Sequence, residues 1–156
     1  MLVVREARVE DLDAMIELGK RGHEKSANAQ YKFDDQRARL LGLCCIMDRN
    51  KCALVVIGND TVVVGVLLGI EEQYAFLKMT YATDLAVYAE SPGGGRMLLQ
   101  AFEKWALEDR KVDQLLMGVS FGGKSARAAQ ALYTRMGFTH DGGLFTKNRR
   151  QQCLEP

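Results

Sequence analysis

The sequence has little net charge, no long apolar run and no cysteine spacing typical of a metal site. Its formal net charge at pH 7 is +1, so no global field favours nucleic acid or an anionic membrane surface. No apolar stretch approaches the roughly 18 residues that a bilayer-spanning helix needs. The first residues also lack the charged start and long apolar segment of a signal peptide. These absences predict a cytoplasmic protein without a membrane partner, and they argue against a nucleic-acid partner.

The cysteines limit the thiol and metal chemistry that the chain supports. Cys44 and Cys45 are neighbours in a helical pattern, Cys52 begins an apolar run, and Cys153 lies in a polar segment. None of the four has the spacing of a zinc site, so we expect no metal. We predict that the first three are buried free thiols, as is usual for cysteine in a reducing compartment.

The apolar pattern predicts one domain over residues 1–148, followed by a flexible tail over 149–156. Strands are predicted over 3–7, 53–57, 61–70, 78–87, 114–120 and 138–147, and helices over 9–25, 36–48, 95–110 and 124–136. The order β-α-α-β-β-β-α-β-α-β predicts an α+β fold with a mixed, mostly antiparallel sheet flanked by helices. In the second helix, the residues expected to face the core are Leu40, Leu41, Leu43, Cys44 and Met47.

Three consecutive glycines, Gly93, Gly94 and Gly95, stand between a predicted strand and a predicted helix. Without side chains, a ligand can approach their amide groups closely. These amides lie at a helix N-terminus, whose partial positive charge favours a phosphate or pyrophosphate. The alternative is a flexible turn without a ligand, because short glycine motifs often occur without a phosphate site.

A second motif, Leu132-Tyr133-Thr134-Arg135-Met136-Gly137-Phe138, ends the last predicted helix. Together, the two motifs and the element order resemble the GNAT superfamily of acyl-CoA N-acyltransferases. In that family, a pyrophosphate loop of the form Arg/Gln-x-x-Gly-x-Gly/Ala follows a strand, and a later helix ends in Leu-Tyr-x-x-x-Gly-Phe. The resemblance is strongest over residues 78–147.

The resemblance implies a reaction in which an amine attacks the thioester of acetyl-CoA directly. Tyr133 corresponds to the tyrosine that protonates the departing thiolate, which would otherwise attack the new amide. A backbone amide of Leu85, Ala86 or Val87 would polarise the thioester carbonyl, although these residues would be core strand residues in either case. Asp84, just upstream, is either a base for the incoming ammonium or an orienting carboxylate.

The resemblance also implies that Gly93, Gly94, Gly95 and Arg96 bind CoA, with Ser125 near its pantetheine arm. The family's Arg or Gln at the start of the loop is absent here. That position falls on Glu90 or Pro92, and Glu90 would repel phosphate. Ala126 replaces a family Asn. These departures favour the alternative of a GNAT-like module that binds CoA or a partner protein without turnover.

The acceptor amine, on a small molecule or a protein, is expected between the first two helices and the segment 71–78. His23, Glu71 and Glu72 are further candidates for the base. A homodimer is left open by the sequence.

Overall fold

The computed structural model describes residues 1–118 and 123–143. Its strands are Val3–Glu6 (β1), Lys51–Ile57 (β2), Val63–Gln73 (β3), Thr80–Ala89 (β4) and Gln114–Leu116 (β5). Its helices are Leu12–Glu24 (α1), Asp35–Met47 (α2), Gly94–Glu103 (α3) and Gly123–Arg135 (α4). A π-helical turn, Lys104–Asp109, continues α3. None of the helices in this part of the chain is long and apolar enough to cross a membrane.

The five strands form one sheet in the order β1-β2-β3-β4-β5. The first four strands pair antiparallel with their neighbours, and β5 pairs parallel with β4. A parallel pair requires a crossover connection, which α3 provides. The predicted α+β fold with a mixed, mostly antiparallel sheet is therefore confirmed.

The sheet carries an apolar core on each face because side chains alternate along its strands. Leu54, Val56 and Leu67 pack with Leu98 and Phe102 of α3 on one face. On the other face, buried side chains from the sheet and from the first two helices form a second core: Met15, Leu18, Cys45, Ala53, Val55, Val66 and Leu68. The second half of the chain therefore lies mainly on one face and the first two helices on the other.

The prediction for the inward face of α2 is wrong. Its large apolar side chains, with Cys44, are exposed, namely Leu40, Leu41, Leu43, Cys44 and Met47. The buried positions are instead Gly42 and Cys45. A Cβ atom at Gly42 would lie 2.9 Å from Leu12 Cδ2 of α1. The two helices approach so closely that only small residues fit between them.

The chain after α4 also differs from the prediction. Residues 138–143 of the predicted strand 138–147 are not in a strand. Gly137 has φ +89°, and the Phe138 amide donates to the Tyr133 carbonyl at 3.0 Å, so the chain turns back against the helix end. Residues 144–147 and the predicted tail 149–156 lie outside the described residues. The extent of the domain stays a prediction.

Candidate active site

A β-bulge interrupts β4 where the sequence analysis placed the thioester. Leu68 of β3 pairs with Ala86 and Gly69 pairs with Asp84, so Leu85 is the extra residue. Leu85 is 42% exposed, and Ala86 is exposed too, which corrects the expectation that both are core residues. Val87 is half-buried and packs against the core on the α3 side of the sheet.

The strands β4 and β5 separate just before the bulge. Their paired residues end at Thr83 and Leu116. The next contact between them uses a side chain, because the Gly118 amide donates to Asp84 Oδ1 at 2.9 Å. Among the described residues, backbone pairing therefore stops at Asp84 and Gly118, and we call this separation on the β5 side of β4 the gap.

The Val87 amide faces this gap. The Glu90 amide donates to the Val64 carbonyl of β3 at 2.9 Å. In an antiparallel pair, residues alternate between pointing their amides at the partner strand and away from it. Counting back from Glu90, the amides of Tyr88 and Ala86 point towards β3, and the Val87 amide points towards β5. The described part of β5 ends before this level, so the Val87 amide has no strand partner among the described residues.

Gly118 connects Asp84 to Tyr133. Its amide donates to Asp84 Oδ1, and its carbonyl accepts a hydrogen bond from Tyr133 Oη at 3.0 Å. The two residues predicted to be catalytic therefore lie on either side of one peptide segment. Both also lie beside the gap between β4 and β5, although they are far apart in the sequence.

The environment shifts both pKa values upwards. Burial raises the pKa of the Asp84 carboxyl, and hydrogen bonds from backbone amides offset part of that shift. Burial, with a contribution from the Asp84 charge, raises the pKa of Tyr133 to about 12. The phenol is therefore protonated over the whole physiological range. It remains a proton donor, although a weaker one than a free tyrosine.

The glycine segment forms a cradle at the start of α3. Gly93 has φ +83°, a left-handed conformation that favours glycine, and open space surrounds both it and Gly95. Gly94 is tighter, since a Cβ there would lie 2.6 Å from Ser91 Oγ. That hydroxyl is buried and has no hydrogen-bond partner among the described residues. The Gly95 and Arg96 amides lie in the first helical turn, where no intrahelical acceptor is available. These features fit the phosphates of CoA.

Glu90 is turned away from this cradle. Its carboxylate pairs with Arg21 of α1 through two contacts, Nε to Oε1 at 2.7 Å and Nη2 to Oε2 at 3.2 Å. The hydrogen bond from Arg21 lowers the pKa of Glu90, so the carboxylate is ionised and compensated. Arg21 was not predicted as a partner of Glu90. A bidentate pair between residues so distant in sequence leaves no local signal.

Arg96 lies at a cleft between α3 and α4 that begins next to the glycine cradle. The cleft is lined by Arg96, Leu132, Arg135 and Met136 and has a volume of about 360 Å³. Two arginines beside the cradle make this region attractive to further phosphate groups. Arg135 was not predicted as a site residue, although it follows Tyr133 by half a turn.

A second cleft, of about 270 Å³, lies on the opposite face of the sheet between α1, α2 and β4. Its floor includes Leu85, Ala86 and Val87, and His23 lines its wall. The His23 Nε2 atom lies 2.7 Å from the Tyr31 carbonyl oxygen. The segment 71–78, expected beside the acceptor, does not line this cleft. We call it the α1–α2 cleft.

The other predicted residues lie elsewhere or are only partly described. Glu71 pairs with Arg110 at 2.5 Å, and Glu72 accepts a hydrogen bond from Tyr81 at 2.7 Å. Ser125 falls in the first turn of α4, but its side chain lies outside the described residues. Within the described ranges, no group of three or more metal-ligating side chains is clustered.

Comparisons with known proteins identify the fold. A ribosomal-protein-alanine N-acetyltransferase from Brucella melitensis has a TM-score of 0.68 and 14% identity, covering 96% of this chain and 100% of its own. A predicted acetyltransferase with acetyl-CoA from Clostridium acetobutylicum has a TM-score of 0.72 and 11% identity, with 95% and 96% covered. A transcriptional regulator from Bacillus halodurans has a TM-score of 0.71 and 18% identity, with 96% and 100% covered.

These identities are low, so the likeness establishes a GNAT-like fold and leaves the activity to be argued from the site. No family model matches the chain, and the search of curated proteins finds no match.

Proposed function

We propose that this protein is an N-acyltransferase that moves an acetyl group from acetyl-CoA to a primary amine by direct attack. The observation that carries the proposal is the gap between β4 and β5. Beside this gap lie Asp84, Tyr133 and the Val87 amide, which has no strand partner among the described residues, and the glycine cradle follows at the end of β4. Acyl transfer needs these groups together: an anion cradle, a donor for a developing oxyanion, a proton acceptor and a proton donor.

In the proposed reaction, each group has one task. The Gly95 and Arg96 amides hold the pyrophosphate, and Arg96 and Arg135 attract the remaining phosphate of CoA. The Val87 amide polarises the thioester carbonyl, which selects one of the three amides that the sequence left open. Asp84 accepts a proton from the incoming ammonium, directly or through water. Tyr133 returns a proton to the departing thiolate.

The proposed reaction needs a compartment that contains acetyl-CoA, so we keep the cytoplasm as the predicted location. The free thiols of Cys45 and Cys52 are compatible with it. A fold-matched neighbour named as a transcriptional regulator keeps a non-catalytic role as the second candidate. Measured turnover with any amine would exclude that alternative.

The variants Gly95→Asp and Gly95→Asn test whether the cradle binds the pyrophosphate of CoA. Open space surrounds a Cβ at Gly95, so both side chains fit, and they differ in charge. We expect Gly95→Asp to weaken acetyl-CoA binding about tenfold or more by calorimetry, because a negative charge stands at the pyrophosphate. Gly95→Asn should bind more tightly than Gly95→Asp.

A negative charge in the first turn of a helix stabilises the fold, so Gly95→Asp should not lower the melting temperature. Equal acetyl-CoA affinity of the two variants would show that the pyrophosphate does not bind in this cradle.

A further inference from the structure

The α1–α2 cleft has an apolar lining unusual for a site that takes a cation. Its side chains come mainly from Leu, Ile, Val, Met and Phe, and its polar side chains are His23, Ser26 and Tyr88. None of the described residues that line it is Asp, Glu, Lys or Arg. Glu90, two residues after the lining residue Tyr88, is already compensated by Arg21. The cleft therefore provides no free negative charge for an ammonium group inside it.

The cleft opens onto the reacting part of β4. Leu85, Ala86 and Val87 form part of its lining, and the Val87 amide is the proposed donor to the thioester carbonyl. A molecule in the cleft could therefore place one end at the bulge and the rest between α1 and α2. CoA itself would occupy the gap on the β5 side and the α3–α4 side, so the cleft remains available to the acceptor.

The volume limits the size of the occupant. About 270 Å³ is near the lower end of small-molecule pockets and holds one aromatic ring or a short alkyl chain with its linker. A polypeptide segment or an amine with several rings would fit only one side chain or one ring into it. Amines with several ammonium groups would also lose hydration without gaining a carboxylate partner.

We propose that the acceptor is a small apolar primary amine, an alkylamine or arylalkylamine, whose hydrocarbon part fills the α1–α2 cleft and whose nitrogen reaches the β4 bulge. This inference rests on the proposed acetyltransferase function. The neutral amine is the nucleophile, and an apolar cleft favours the neutral form over the ammonium. Asp84 takes one proton from the incoming ammonium, and the neutral amine then attacks. As the N–C bond forms and the C–S bond breaks, Tyr133 gives its proton to the thiolate and the second nitrogen proton returns to the Tyr133 oxygen.

Chain length gives a quantitative test. With acetyl-CoA as the donor, kcat/KM should rise about fourfold per methylene from propylamine to hexylamine, as expected for burial of a methylene. Phenethylamine should be accepted as well. Spermidine, lysine and kanamycin should be poor acceptors at the same concentration. Equal or better acetylation of these polar amines would overturn the proposal.

Two cleft variants assign the effect to this site. Gly19 lines the cleft, and a Cβ there would make an ordinary contact of 3.7 Å with Phe33 Cζ. Gly19→Leu fills the cleft and should lower kcat/KM for hexylamine at least tenfold while sparing propylamine. Gly19→Ala is the matched control, because it makes the same change in helix propensity with little volume. Phe33→Ala should shift the optimum to longer amines.

The apolar group in the cleft could instead be the acyl chain of the donor. Butyryl-CoA and hexanoyl-CoA are therefore compared with acetyl-CoA on each variant. If Gly19→Leu changes the acyl preference and leaves the amine preference unchanged, the assignment to the acceptor is wrong.

Calorimetry separates this inference from the function on which it rests. Hexylamine should bind the protein without acetyl-CoA, and Gly19→Leu should weaken that binding at least tenfold with an unchanged melting temperature. Acetyl-CoA binding together with a lack of hexylamine binding would overturn the acceptor assignment alone. A lack of acetyl-CoA binding would overturn the proposed function.

Discussion

Asp84 is a half-buried carboxylate in a strand, and its environment works against its charge. Burial raises its pKa, so at neutral pH the ionised group destabilises the fold. The protonated carboxyl does not carry this cost. The free energy of unfolding is therefore higher at low pH as far as Asp84 is concerned, and that stability is lost as the pH rises through the raised pKa. A carboxylate that is retained at this cost in stability is a candidate for a catalytic role, because a partly desolvated carboxylate is an effective base.

We predict that Asp84→Asn separates stability from activity. The Asn Oδ1 atom can still accept the Gly118 amide, and the buried charge is gone. At pH 7, the melting temperature should stay the same or rise. Turnover should fall at least tenfold because the proton acceptor is lost. A variant with full turnover would leave Asp84 as an orienting carboxylate only.

The pH dependence of turnover should report the same group. In the parent protein, kcat/KM should fall on acidification through the raised pKa of Asp84, and Asp84→Asn should lose that step. Tyr133, with a pKa of about 12, should contribute no deprotonation step below about pH 10. A loss of activity between pH 8 and 10 that Tyr133→Phe removes would contradict this assignment.

We predict that Tyr133→Phe lowers turnover more than it lowers stability. The ring and its contact with Phe138 remain, whereas the hydrogen bond to the Gly118 carbonyl is lost. That loss costs about 1 kcal/mol of folding free energy. The loss of a general acid costs at least tenfold in kcat, with acetyl-CoA affinity nearly unchanged. Thermal melting, calorimetry and steady-state kinetics on one preparation measure all three quantities.

Normal turnover with a lower melting temperature would make Tyr133 a packing residue. It would also favour the non-catalytic alternative.

At the scale of elements, an ion pair between α1 and the residue after β4 neutralises a negative charge close to the proposed phosphate cradle. Glu90 lies at or next to the position where the resemblance to the GNAT superfamily leads us to expect Arg or Gln, and its charge is neutralised from another element by Arg21. Tyr88 Oη also lies within hydrogen-bond distance of Glu90 and of Lys25, at 3.5 and 2.7 Å. We therefore expect Glu90 to repel CoA less than its charge alone would, because Arg21 balances that charge.

We predict that Arg21→Ala weakens acetyl-CoA binding, because it leaves Glu90 uncompensated near the loop. The pair is largely exposed, so solvent screening limits the effect to about two- to fivefold. The double variant Arg21→Ala with Glu90→Gln should restore the parent affinity, and Glu90→Gln alone should change it little. If the double variant binds as weakly as Arg21→Ala, Arg21 contacts CoA itself.

Element packing also explains the error on α2. The spacing of apolar residues predicts which face of a helix is buried, and it assigns the largest apolar residues to that face. In this fold, α2 crosses α1 so closely that Gly42 and Cys45 face inward, and Leu40, Leu43 and Met47 are exposed. The spacing of small residues was visible in the sequence. The distance between the helices, which makes small residues necessary, was not.

At the scale of the whole molecule, the proposed site is assembled from parts that are distant along the chain. Asp84 lies on β4, Gly118 follows β5, and Tyr133 lies on α4, so three elements must pack before the groups meet. CoA would bind on one side of β4 and the amine on the other. This arrangement brings two reactants to one strand and positions them for attack. A homodimer stays a prediction.

The sequence by itself determined the element order as far as α4, the sheet class, the glycine segment before α3 and the tyrosine of α4, because these depend on local periodicity and backbone freedom. Only the tertiary structure decided which strand amide points away from β3, since that depends on the register of β4 and the bulge at Leu85. It also decided that Glu90 is compensated and that an apolar cleft faces the bulge. These features come from contacts between residues far apart in sequence, and such contacts leave no periodic signal.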